Sequence, residues 1–180
     1  MKIIAFTGMP FSGKSEAVKI AKEMDIPVFR MGDLIWEEVK KQGLEINDEN
    51  VGNIANNMRK KYGMGIWAIK TLELIISQKN QDIIVIDGIR NLEEIEIFKK
   101  KLGNDFILIA IDVADEIRYK RSLDRGRKDD SEDLKLVKKR DKREISWGIK
   151  KVISSADIFI KNEDTVEVFR NKIKDLFKKS

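Results

Sequence analysis

The chain of 180 residues has no cysteine and no histidine. The first absence excludes disulfides, a thiolate nucleophile and any zinc site built on cysteine. The second excludes imidazole acid–base chemistry, a Ser-His-Asp triad and histidine metal ligands. Catalysis is left to carboxylates, lysine, arginine, backbone dipoles or a bound metal ion. Phosphoryl transfer needs no more than these, because it relies on positioning and charge stabilisation. Proline occurs only at Pro10 and Pro27. With no low-complexity linker and no internal repeat, one domain with a full core is expected. Long apolar runs are also missing. The run from Phe106 to Ile111 is far too short to span a bilayer, and the N-terminal apolar run is too short for a signal peptide. The sequence therefore reads as soluble and cytoplasmic, with no membrane partner. It says nothing of oligomeric state.

What is present is charge. There are 36 basic residues against 31 acidic ones, a formal net charge of +5. A basic balance admits a polyanionic partner such as nucleic acid. The two signs are interleaved rather than blocked, which favours a mixed solvated surface over a nucleic-acid face.

The most specific local feature is Gly8-Met9-Pro10-Phe11-Ser12-Gly13-Lys14-Ser15. It fits the phosphate-binding pattern G-x-x-x-x-G-K-[ST]. Lys2 to Thr7 before it reads as a buried strand. Ser15 to Met24 after it has helical spacing, with Ala17, Val18, Ala21 and Met24 on one face. The glycines thus fall where a strand ends and a helix begins. There, loop N–H groups and the positive end of the helix dipole converge on phosphate oxygens. Lys14 would reach the β- and γ-phosphates, and the Ser15 hydroxyl would take Mg²⁺. ATP and Mg²⁺ are the expected cofactors.

Strands are expected over 2–7, 27–29, 82–86, 106–112 and 157–160. Helices are expected over 15–24, 33–42, 48–62, 65–78, 92–102, 116–124, 131–144 and 165–178. This alternation predicts an α/β protein: a parallel sheet flanked by helices, with ligands at the strand C-termini. Two segments exceed the minimal alternation, 32–80 and about 121–151. They would rejoin the sheet near its phosphate-binding edge, as movable covers do.

Several residues could carry chemistry. Asp87, at the tip of the run Ile83 to Ile86, could bind Mg²⁺ or cap a turn. Arg90 has the planar fork that suits phosphate, or is a surface arginine near a helix start. Asp33 reads as a helix cap, or as a carboxylate that takes a proton from an acceptor hydroxyl. Arg30 and Arg59 are further phosphate or acceptor candidates. Trp36 and Trp67 could stack on a base but read more simply as core. The second long segment carries Arg118, Arg121, Arg125, Arg127, Arg140 and Arg143. Arginines on a mobile element stabilise charge on a transferring phosphoryl group. Asp129, Asp130, Glu132, Asp133, Asp141 and Glu144 lie among them and could pair with them.

These motifs together resemble nucleoside monophosphate kinases of the adenylate kinase type. The chain is most similar to an archaeal group of P-loop proteins described as adenylate-kinase-related or dephospho-coenzyme A kinase-like. Besides the P-loop, the resemblance rests on Arg30-Met31-Gly32-Asp33, Asp87-Gly88-Ile89-Arg90, the Arg121–Arg127 cluster with Asp129-Asp130, Arg140-Asp141, and Ala156 to Asn162. It implies a P-loop NTPase fold with a five-stranded parallel sheet of order 2-3-1-4-5. The core would be 1–31, 81–120 and 152–180, with an acceptor-binding insertion at 32–80 and a lid at 121–151. It implies ATP-dependent transfer to a phosphorylated small molecule such as AMP. Gly8 to Ser15, Arg121 and Asn162 would hold the donor. Gly32, Asp33, Trp36, Arg59 and Arg90 would meet the acceptor. Lys14, Arg90, Arg125, Arg127, Arg140 and Asp33 would act in transfer, with Ser15 and Asp87 on the metal. One departure stands out: Trp36 occupies a position where the family commonly has arginine. Two other readings remain. One is phosphorylation of a hydroxyl with Asp33 as base, as in dephospho-coenzyme A kinases. The other is a nucleotide-switched ATPase or scaffold with RNA or ribosomal partners.

Overall fold

A computed structural model describes residues 1–78, 81–124 and 134–179. Five strands form one parallel sheet: β1 (Lys2–Thr7), β2 (Val28–Arg30), β3 (Ile83–Asp87), β4 (Phe106–Asp112) and β5 (Ile158–Lys161), in the order β2-β3-β1-β4-β5. The expected order is thus the observed one. The helices are α1 (Lys14–Glu23), α2 (Met31–Lys41), α3 (Asp48–Tyr62), α4 (Ile66–Ile76), α5 (Leu92–Leu102), α6 (Asp115–Asp124), α7 (Leu134–Trp147), α8 (Ile149–Ser154) and α9 (Val166–Lys179).

Strand residues alternate between two cores, because successive side chains point to opposite faces of a sheet. Ile3, Ala5, Ile84, Ile86 and Leu108 face one side, where Met31, Ile35, Val39, Trp67, Ile75, Phe98 and Trp147 pack on them. Ile4, Phe6, Val85, Ile109 and Ile111 face the other, against Ala17, Ile20 and Ala21 of α1 and Phe169, Ile173 and Phe177 of α9. Both faces are covered, so the strands read as continuous apolar runs without polar alternation. Phe98 stacks on Phe106 at 5.5 Å, and Phe6 meets Phe177 edge-on at 6.2 Å.

The structure departs from expectation in three places. β2 runs straight into α2, which starts at Met31 with Arg30 as its N-cap. Asp33 is therefore inside the first turn and is not the cap. Helix α7 continues past Glu144 to Trp147, and α8 follows immediately after Gly148, whose φ of 104° makes the turn between them. No α8 is expected from the sequence, because six residues are too few to show a helical period. The expected start of α7 at Ser131 lies outside the described residues. Among the described residues, no helix is long and apolar enough to cross a membrane.

Candidate active site

The strand registers bring the chemistry together. Phe6 of β1 lies beside Asp87 of β3, and Asp87 beside Arg30 of β2. The loop after β1 and the loop after β3 are also tied directly. Thr7 Oγ1 donates to the Ile89 carbonyl at 2.9 Å, and Gly88 N–H to the Phe6 carbonyl at 3.2 Å.

The P-loop turns where the sequence places it. Gly8 and Gly13 have φ of 144° and 109°, values that a side chain resists. A Cβ on Gly8 would run into the Ile111 carbonyl, and one on Gly13 into the Asn162 side chain. Asn162 Nδ2 donates to the Ser12 carbonyl at 2.8 Å, so the last strand braces the first loop. Arg121 Nη2 donates in turn to the Asn162 carbonyl at 3.0 Å. Its Nη1 is buried with no hydrogen-bond partner, and burial lowers the Arg121 pKa. Lys14 Nζ donates to the carbonyls of Gly8 and Met9 at 2.6 and 2.9 Å, curled inside its own loop.

A cleft opens above the loop. Its floor is Pro10, Phe11, Gly13, Lys14 and Ser15. One wall is Arg30, Gly32, Ile35 and Trp36, with Asp48, Val51, Gly52 and Ala55 of α3. Asp87, Gly88 and Arg90 close the back, and Arg140, Arg143, Glu144 and Trp147 of α7 form the roof.

Four arginines and three carboxylates of this lining are linked by ion pairs. Glu144 is 3% exposed. Its two oxygens meet Arg90 Nε at 3.2 Å and Arg140 Nε at 3.3 Å. Burial would raise its pKa, but Arg90, Arg140, Lys14 and Arg143 outweigh burial and hold it at about 2. Asp48, in the first turn of α3, receives Arg143 through two hydrogen bonds of 2.7 and 3.0 Å, with Arg140 Nε at 3.7 Å. This fork on α3 fastens the roof to that wall. Gly52 allows it, since a Cβ there would stand 2.6 Å from the Arg143 guanidinium.

Asp87 tests whether a metal would fit. Its Oδ1 is buried with no hydrogen-bond partner, while Oδ2 lies 3.7 Å from Arg30 Nε. Asp87 and Ser15 line the same cleft. Mg²⁺ in phosphoryl-transfer sites takes one or two protein oxygens and completes its shell with phosphate and water. An unsatisfied carboxylate oxygen beside the P-loop serine suits that role. Among the described residues no cluster of three or more acids gathers elsewhere to hold a metal.

Of the residues singled out in the sequence, Arg30, Gly32, Trp36, Asp87, Arg90 and Arg140 line the cleft with the P-loop. Asp33 does not. It pairs with Arg30 at 3.0 Å and is half exposed. Arg59 does not line the cleft either. It is 3% exposed, its Nη2 donates to Glu94 Oε1 at 3.0 Å, and its guanidinium lies 4.2 Å from the Trp147 ring. Burial lowers its pKa, partly offset by Glu94. Glu94 Oε2 accepts the Arg90 backbone N–H at 2.7 Å. Arg59 thus supports the loop that carries Arg90. Arg125 and Arg127 lie outside the described residues. Sequence reading did not single out Asp48 or Trp147, and it saw Glu144 only as one pairing acid among several. The helical spacing of Gly52, Ala55 and Arg59 at i, i+3 and i+7 on the buried face of α3 is the local signal that could have placed Arg59 inside.

Comparisons with known proteins show the family and the fold. A family model described as an AAA domain matches residues 7–138. The UPF0200 protein of Methanosarcina barkeri is 47% identical over 173 residues, covering 96% of this chain and 92% of that one. The chain belongs to the UPF0200 family. Another member, from Thermoplasma acidophilum, is 40% identical and covers 97% of this chain and 94% of its own. Among solved structures, shikimate kinase from Acinetobacter baumannii in complex with shikimate superposes with a TM-score of 0.61 at 14% identity, covering 99% and 94% of the two chains. The protein TT1252 from Thermus thermophilus gives 0.64 at 14% identity, covering 99% and 97%. These likenesses place the family's fold among P-loop kinases. They support a P-loop kinase-like fold and do not single out the adenylate kinase type.

Proposed function

We propose that the protein transfers the γ-phosphoryl group of ATP to a nucleoside monophosphate such as AMP. The observation that carries this reading is a single cleft with cations on two sides. Lys14 and the P-loop amides lie on the floor; Arg30, Arg90, Arg140 and Arg143 lie on the walls and roof. The floor suffices for the donor phosphates, so the remaining guanidinium groups suit a second, phosphorylated ligand.

Segment 32–80 is then the acceptor-binding insertion and 121–151 the lid. Lys14 exchanges its loop carbonyls for β- and γ-phosphate oxygens. Arg90 and Arg30 hold the acceptor phosphate in line with the donor, and Arg140 and Arg143 offset charge as the phosphoryl group moves. Arg125 and Arg127 are assigned to the same task, with Arg121 and Asn162 beside the donor base. Trp36 closes the acceptor side where the related enzymes carry arginine. Ser15 and Asp87 would hold Mg²⁺, which would supply positive charge to offset that of the donor phosphates. The bond from the γ-phosphorus to the β,γ-bridging oxygen breaks, and a bond to an acceptor phosphate oxygen forms. With AMP the products are two molecules of ADP.

The test is incubation of the pure protein with ATP, Mg²⁺ and AMP. ADP formation well above that of Lys14→Ala is expected. ATP consumption with a hydroxyl acceptor, but not with AMP, would replace this reading by hydroxyl phosphorylation with Asp33 as base.

A further inference from the structure

Arg118 lies outside the cleft, and no step above uses it. It is nevertheless among the largest fully buried side chains, at 1% exposed. Its three guanidinium nitrogens reach three segments. Nε and Nη2 donate to Asp115 Oδ1, in the first turn of α6, at 3.0 and 2.6 Å. Nη1 donates to the Pro10 carbonyl of the P-loop at 2.9 Å. Nη1 and Nη2 together grip the two oxygens of Asp141 on α7, at 3.3 and 2.9 Å. Asp141 is 5% exposed and also accepts from the Tyr119 hydroxyl at 3.2 Å.

Stability alone is a weak reason for such a cluster. Apolar side chains of similar volume commonly serve as well as a buried ion pair. What they cannot do is follow one particular loop carbonyl. That carbonyl belongs to a sensitive place. Pro10 precedes Phe11, whose φ of 64° puts a bulky residue in the left-handed region. The Phe11 ring is buried, and the Arg140 guanidinium lies 5.9 Å from its centroid. The same bend of the P-loop therefore meets α7 twice, through Arg118 to Asp141 and through Phe11 to Arg140. Helix α7 carries Arg140, Arg143 and Glu144 into the roof of the cleft.

We propose that Arg118 and Asp141 are positioning residues that couple the P-loop to α7. Triphosphate bound in the loop thereby sets the placement of Arg140, Arg143 and Glu144 over the acceptor side. Phosphate oxygens draw on the loop N–H groups and on Lys14, which otherwise bonds Gly8 and Met9. A shift in the loop moves the Pro10 carbonyl, and the rigid fork of Arg118 passes that shift to Asp141. Linkage then requires that the acceptor favour donor binding to the same degree. The coupling of the loop to α7 rests on the donor half of the proposed function, and its effect on AMP rests on the acceptor half.

The experiment uses the intact protein, a non-hydrolysable ATP analogue with Mg²⁺, and two variants. In the unaltered protein the analogue is expected to slow amide exchange across 134–147 and to raise AMP affinity roughly fivefold or more. In Asp141→Asn the analogue still binds, the added protection of 134–147 disappears, and the AMP affinity ratio falls towards one. If Asp141→Asn does not fold, the double variant Arg118→Met, Asp141→Leu gives the same comparison, because it leaves neither partner of that pair buried and alone. Protection of 134–147 that persists unchanged in a folded variant overturns the proposal, as does its absence in the unaltered protein. If the exchange pattern appears but AMP does not bind, the acceptor assignment fails and the coupling stands.

Discussion

At the scale of single residues, the cleft is organised by carboxylates as much as by cations. Glu94 is wholly buried and serves both Arg59 and the Arg90 backbone. Removing its cation leaves a charge without compensation in the interior. Arg59→Met is expected to cost about 3–5 kcal/mol, read from denaturant unfolding at neutral pH. A loss below about 1 kcal/mol, the range of exposed pairs, would show that the pair is not the support inferred here. Arg59 also marks a limit of sequence reading. Its partner lies 35 residues away, and an arginine facing inward is indistinguishable by type from one facing a ligand. The P-loop was legible because its meaning is local: a strand, a fixed glycine spacing and a helix within one short stretch.

At the scale of elements, α7 is the part that sequence reading understood least. Its arginines were visible as a basic run, but the partners that orient them sit on α3, in the P-loop and further along α7 itself. Asp48 was read only as the start of α3, and the 95 residues between it and Arg143 hide their pairing. The helix boundary at Asp33 was misread for a related reason. A capping residue is a local cue, whereas α2 begins early because β2 feeds directly into it. The Asp48 fork carries its own expected outcome. Asp48→Ala should cost about 1.5–3 kcal/mol, the range for hydrogen bonds to charged groups. It should also raise the KM for AMP while leaving affinity for the ATP analogue unchanged. An equal loss on the donor side would place Asp48 in donor binding instead.

At the scale of the whole molecule, acid is the natural probe, because the chain has no histidine to titrate near neutrality. Glu144 is held at about 2 against an ordinary 4.5. Its folded value is depressed, so its contribution is complete above about 4.5 and is lost as pH falls towards 2. That difference corresponds to about 3 kcal/mol. Unfolding free energies measured at pH 6 and at pH 2.5 should fall more steeply for the unaltered protein than for Glu144→Gln. Parallel slopes would mean that the four surrounding cations do not act on this carboxylate. The parallel sheet, in contrast, was legible from strand–helix alternation, and its order followed from what the resemblance to P-loop kinases implied.

The brace between Asn162 and Ser12 joins positions 150 residues apart. On a ribosome, the loop at the start of the chain emerges long before β5 exists to hold it. The loop is made before β5 yet finished only after it, and a nascent chain halted short of β5 would carry the whole phosphate motif without its lock.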